Sequence, residues 1–165
     1  MGCAGAGRLM VFGHLGLTML PLLLNRETHW DVRLLVLGAF LPDIIDKPIG
    51  HLLLPQNNGR IIGHTLLFAI SLVLFSAFFR KMAPLAFGVA FHQLLDGVFT
   101  DPQGALWPLM GGFETTSYEV SQWLLAYTKP WVLFEEAAGL VVLLLVINSF
   151  GLKNILKVIR HGHLK

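Results

Sequence analysis

Phe91-His92-Gln93-Leu94-Leu95-Asp96-Gly97 sets two ionisable side chains inside a run that is otherwise apolar for many residues. On a helix His92 and Asp96 stand four positions apart and share one face, so an imidazole nitrogen and a carboxylate oxygen can converge on one point. That is metal-ligand geometry. The plainer alternative is a polar pair that satisfies itself inside a core, which buried polar groups commonly do. The surrounding sequence has to separate the two.

Composition defines the setting. Of the 165 residues, 55% are hydrophobic and 13% charged, and the mean hydropathy is +0.66, far more apolar than a soluble domain. The chain reads as one integral-membrane domain over residues 1–165. The net charge is +2 with the basic residues dispersed or gathered at the C-terminus, so there is no nucleic-acid footprint. Cys3 is the single cysteine, which excludes an internal disulfide and a multi-cysteine zinc site and leaves His, Asp and Glu as ligands. Ala6 stands where a myristoylation start wants Ser or Thr. Gly13, His14 and Gly16 interrupt the apolar stretch after Arg8, which is therefore expected to be a retained first span and not a signal peptide.

Working outward from Phe91–Gly97, apolar segments run at 8–24, 32–45, 61–79, 83–99 and 131–152. They predict an all-α, polytopic bundle of about five spans. With the N-terminus outside, Arg26, Arg33, Arg80, Lys81, Lys153, Lys157, Arg160 and Lys165 collect inside, against Arg8, Lys47, Arg60 and Lys129 outside. The C-terminus is then cytoplasmic, and the expected location is the inner membrane. On this map His14, Asp43, Asp46, His64, His92, Asp96, Glu135 and Glu136 all fall in the outer half. Polar residues scattered through alternately directed helices have no reason to agree in depth, and ionisable residues inside spans are costly unless paired or ligated. A single site follows, with His14, Asp43, His64, His92 and Asp96 as metal ligands.

Each member also has a plainer reading. His14 can hydrogen-bond a carbonyl within a helix contact, Asp43 or Asp46 can cap the turn at Lys47-Pro48, and His64 lies near the membrane surface, where a hydrated imidazole is comfortable. Glu135 and Glu136 point about 100° apart on a helix, so at most one faces the site. His51 sits in a loop, and His29, His161 and His163 are read as surface residues.

The long connection 100–130 has its own signals. Thr116-Ser117-Tyr118-Glu119 is a capping-box pattern, followed by Val120, Trp123, Leu124 and Tyr127 at helical spacing. An interfacial amphipathic helix is predicted, with Trp107, Trp123, Tyr127 and Trp131 at headgroup level. Trp107, Trp123 and Tyr127 are the candidate substrate contacts, and covering the bundle is an equally good task for this helix.

Taken together, Gly13-His14, Leu41-Pro42-Asp43-Ile44-Ile45-Asp46-Lys47-Pro48, Gly63-His64-Thr65-Leu66-Leu67-Phe68, His92-Gln93-Leu94-Leu95-Asp96 and Asp101-Pro102 with Leu106-Trp107-Pro108-Leu109 resemble the YdjM-like inner-membrane family of metal-dependent hydrolases. The likeness covers about residues 13–112. Pro-Asp-Ile-Ile-Asp and Gly-His-Thr stand here where many relatives carry Pro-Asp-x-Asp-His and Thr-His-Ser, which leaves the part of Asp46 open. The order His14, Asp43, His64, His92-x-x-x-Asp96 more distantly resembles zinc-dependent phospholipase C and the single-strand nucleases. The likeness implies a divalent metal and hydrolysis.

The leading expectation is a membrane-embedded hydrolase acting through a metal-activated water on a phosphoester of a lipid or lipid-linked substrate. Asp46 or Glu135 would be the general base. Mixed His and carboxylate ligands suit zinc first, with manganese or iron as alternatives. Competing readings are a small ion- or proton-coupled transporter, against which the polar residues stop at the outer half, and a non-catalytic scaffold stapled by a metal.

Overall fold

The computed structural model describes residues 10–25, 27–54, 58–113, 115, 125 and 127–163. These form helices and turns, with no strand among the described residues. Of the predicted helix over 116–127 only Leu125 and Tyr127 are among them; Trp123 and Leu124 lie outside, as do Arg8 and Arg26.

Helix α1 (Val11–Thr18) stops at Met19 and restarts with Pro21 as α2 (Leu20–Leu24). Asp31 caps α3 (Val32–Pro48), its Oδ1 accepting from the Arg33 amide at 2.9 Å. A 3₁₀ turn, Ile62–His64, leads to Thr65, whose Oγ1 accepts from the Phe68 amide at 3.1 Å and starts α4 (Leu66–Phe78). Then come α5 (Ala83–Leu95), ended by Asp96 and Gly97, the short α6 (Pro102–Ala105), α7 (Pro130–Phe150) and α8 (Leu152–His161).

Of the five anticipated spans, one helix among the described residues is long and apolar enough to cross a bilayer: α7, with 21 residues and a mean hydropathy of 2.0. Only 28% of its apolar window is buried, so most of its surface faces outward, unlike a soluble core helix. The other apolar segments give shorter helices. The first is divided at Met19, α4 and α5 have 13 residues each, about 20 Å, and α3 has 17 with Pro42 and Pro48 inside it. Continuous hydropathy had joined stretches that the backbone breaks: Pro21 opens a new helix, the 3₁₀ turn before α4 takes Ile62 to His64 out of the third segment, and α5 stops before Asp96.

Two close helix crossings hold the bundle. At Gly16 a Cβ would lie 1.9 Å from the Gly139 carbonyl oxygen, and at Gly139 one would lie 2.0 Å from that of Phe12, so α1 and α7 touch backbone to backbone. Gly38 and Gly88 do the same for α3 and α5, where a Cβ on Gly38 would meet the Leu85 carbonyl oxygen at 2.4 Å. Small residues at such crossings are how helices associate where the surroundings are as apolar as their side chains. At one end of the bundle Met19, Leu22, Val32, Leu35, Val142, Val146 and Val158 form an apolar core. The buried polar residues His14, Asp46, His64, His92, Gln93 and Asp96 are separate from it.

Candidate metal centre

His92 is wholly buried on α5, and its Nδ1 lies 2.7 Å from the Ala39 carbonyl oxygen of α3. A carbonyl only accepts, so Nδ1 carries the hydrogen and Nε2 is left with its lone pair. His64 repeats the arrangement, because its Nδ1 lies 2.7 Å from Asp46 Oδ2, an acceptor carboxylate. The two Nε2 atoms then face each other at 3.2 Å. Two lone pairs at that distance repel unless something positive lies between them.

Both flanking carboxylates divide their oxygens in the same way. Asp43 Oδ2 accepts from Lys47 Nζ at 2.5 Å, while Oδ1 stands 3.6 Å from His64 Nε2 and 4.0 Å from His92 Nε2. Asp96 Oδ2 accepts from Arg60 Nη2 at 2.7 Å and lies 3.4 Å from His64 Nε2, while Oδ1 is 3.2 Å from His14 Nε2. That last contact has ion-pair distance without hydrogen-bond alignment. Both nitrogens of His14 and Asp96 Oδ1 are buried with no hydrogen-bond partner among the described residues. The ring centroids of His14 and His92 are 4.4 Å apart.

These separations suit a cation. Two nitrogens bound to one tetrahedral ion at about 2.0 Å lie about 3.3 Å from each other, close to the His64–His92 spacing. In His14–His92–Asp96 and in Asp43–His64–His92 the ligand atoms fall within 4.8 Å of one another, with His92 common to both groups. These buried His and Asp groups could hold a metal ion. The five candidate ligands read from the sequence therefore meet in one place. The α3–α5 crossing supplies Asp43 and His92, the turn before α4 supplies His64, α1 supplies His14, and Asp96 stands at the cap just beyond α5, its amide still bonded to the His92 carbonyl at 2.9 Å.

Asp46 has a different task from the general base expected of it. Its Oδ1 accepts from the Gly63 amide at 2.7 Å, and its Oδ2 accepts from the Ile61 and His64 amides at 2.8 and 3.0 Å as well as from the His64 ring. A carboxylate so engaged orients the 3₁₀ turn and fixes the tautomer of His64, the usual relation of a carboxylate behind a metal-bound imidazole. Glu135 is absent from both ligand groups. Its neighbour Glu136 accepts from the Phe12 and Gly13 amides at 3.1 and 3.2 Å and so caps α1 from across the bundle. Tyr127, expected at the substrate, lies beside Glu136, where burial and that carboxylate's charge raise its pKa. Trp107 stacks on Phe113, with ring centroids 5.1 Å apart.

Arg60 and Lys47 were read from the sequence only as outer-side charges, and Gln93 only as part of the His92 motif. Lys47 carried a usable signal, standing four residues after Asp43 within a helix. Gln93 did too, as an amide in an apolar run; its Nε2 donates to the Gly63 and Thr65 carbonyls at 2.9 and 3.0 Å and ties α5 to the His64 turn. Arg60 had none, since its partner lies 36 positions away. A cavity of about 10 Å³, room for about one water, is lined by Arg60, Ile61, His64, Val98, Asp101, Gly104 and Ala105 beside the cluster.

No curated protein and no solved structure matches the chain. The sequence profile of the YdjM inner membrane protein family matches residues 9–158, a stretch that contains every member of this cluster. The chain belongs to the YdjM inner membrane protein family.

Proposed function

We propose that the protein is a membrane-embedded, metal-dependent hydrolase that binds zinc and cleaves a phosphoester of a lipid or lipid-linked substrate. The supporting observation is the pair of His64 and His92 Nε2 lone pairs held face to face at 3.2 Å with both Nδ1 atoms committed as donors. When bound, the ion supplies Lewis-acid chemistry, acidifying water and polarising a phosphoryl oxygen. The protein's own residues do the rest. Asp46 and the Ala39 carbonyl hold the two imidazoles in the deprotonated-Nε2 form, and Asp43 and Asp96 supply negative charge. Arg60 and Lys47, held against those carboxylates with side chains 11% and 12% exposed, put two cations beside the place where a phosphate would sit. That supports a phosphoester over a carboxylic ester.

In this reading the substrate approaches from the side of Arg60 and His64, and the short helices lie within the bilayer around α7 with the cluster in the outer half. The test is metal analysis of the purified protein together with hydrolysis of a phospholipid before and after chelation. Stoichiometric zinc, with turnover lost on chelation and restored by the ion, is the expected result. Metal present with no turnover of any phosphoester would leave a structural staple, and no metal at all would remove the reading.

A further inference from the structure

Helix α8 has no part in the centre and was read from the sequence only as a source of basic residues. It starts after Gly151, which turns the chain at φ +78° directly beyond α7. A 21-residue helix is about 31 Å long, so α7 delivers α8 to one surface of a bilayer. The cluster lies toward the other surface, because His14 belongs to the helix that crosses α7 at Gly139 and is capped by Glu136.

Around α8 the residues divide into three sectors. Val158 is buried and Ile155 half-buried against the apolar core. Lys153, Lys157 and His161 follow one another at four-residue spacing, with Arg160 beside Lys157, and all of them are exposed. Between these sectors lie Leu152 and Leu156, 60% and 61% exposed and outside the apolar core. The helix is also fixed in place: the Val32 amide donates to the Gly162 carbonyl at 2.7 Å, and His163 Nδ1 donates to the Trp30 carbonyl at 3.1 Å. It therefore presents one constant face.

We infer that α8 is a docking surface for anionic phospholipid headgroups, lying in the plane of the membrane with Leu152 and Leu156 among the acyl chains and Lys153, Lys157, Arg160 and His161 at the phosphates. An apolar stripe bordered by cations is the pattern of an interfacial helix. Continuity with a membrane-crossing helix places it at headgroup depth, where each cation strengthens attraction to anionic lipid. Grooves beside Lys157 are lined by Leu156, Arg160 and His161 on one side and by Asn154, His161 and His163 on the other, giving a phosphate a cationic rim and an acyl chain an apolar one.

The experiment uses the whole protein in phosphatidylcholine vesicles containing a minor share of phosphatidylglycerol. A fluorophore is placed at Leu156→Cys in a Cys3→Ser background, and quenching is compared for acyl-brominated phosphatidylglycerol and for the same amount of brominated phosphatidylcholine. The expected result is quenching about fivefold stronger with the anionic lipid, falling to parity in high salt and in the combined Lys153→Gln, Lys157→Gln, Arg160→Gln variant. The salt series needs no charge-removing substitution, so it decides the matter even if the triple Gln variant folds poorly. Equal quenching by both lipids, or a preference that survives high salt, overturns the proposal. Absence of quenching by either lipid also overturns it and assigns the face to a protein partner.

Discussion

The two regions of this bundle are built from overlapping helices by opposite rules. Leu22, Leu35, Val142 and Val146 come together with no polar atom among their side chains, and what they contribute follows from area removed from water or lipid and from close contact. The His14, Asp43, His64, His92 and Asp96 region contains almost nothing that burial alone would favour. It is held by directed bonds from Asp46, Gln93, Lys47 and Arg60 and brings two imidazole Nε2 atoms face to face, where a metal ion or a shared proton would fit between them. An apolar region tolerates any residues of suitable volume, whereas a polar one specifies each atom.

The sharpest way to break this contrast is His92→Ala, which removes the nitrogen shared by both ligand groups. Bound metal and hydrolysis should fall below detection while the helical circular-dichroism signal persists; a variant that keeps its metal would mean the two regions do not differ as described. Gly139→Ala attacks the frame that brings the regions together, because its Cβ would lie 2.0 Å from the Phe12 carbonyl oxygen. Separating α1 from α7 should lower the thermal midpoint further than any single apolar truncation, and the metal should be lost along with the fold. Leu35→Ala, at a fully buried site, should cost about 2–5 kcal/mol in denaturation experiments and leave metal stoichiometry unchanged in the folded fraction. Asp46→Asn sharpens the comparison from the polar side: metal affinity should drop roughly 10- to 100-fold with little change in folding. A drop in maximal rate at unaltered affinity would return Asp46 to the role of base.

The smallest effect is electrostatic. Hydrogen bonding from Arg33 lowers the Asp31 pKa from its ordinary 3.8, against a smaller opposing effect of burial. A depressed carboxylate contributes stability above its unfolded value, and that contribution is lost as the pH falls through the folded one. The pair is exposed, so only a slight loosening of the α3 cap is expected, in acid below about pH 4. Amide exchange at Val32 and Arg33 measures it, and Asp31→Asn should make that exchange independent of pH in the same range once intrinsic rates are removed.

The sequence revealed the polar region better than the frame. His92 and Asp96 announced themselves because charge in an apolar run is conspicuous, and the shared depth of His14, Asp43 and His64 pointed to the same place. Helix lengths were less readable, since hydropathy records the surroundings of a residue and not its backbone. The 3₁₀ turn that removes Ile62 to His64 from a helix depends on Asp46 accepting three backbone amides, a long-range fact with no local signature. For the same reason Arg60 could not be foreseen at Asp96, and Glu136 could not be told from Glu135 until the direction of α7 was known.

The cap on α1 has a consequence for biosynthesis. The amides of Phe12 and Gly13 receive their acceptor from a residue 124 and 123 positions later, and open amides are costly in hydrocarbon. At roughly 5–20 residues per second, the ribosome produces Glu136 on the order of ten seconds after the start of α1. Until then the first helix has no carboxylate at its amino end and no glycine seam to lie against. The nascent protein must wait for its last long helix before the amino end of its first one is capped, and a chain released before Glu136 would hold α1 by its contacts with α3 and α5, with open amides as a mark of incompleteness for membrane quality control.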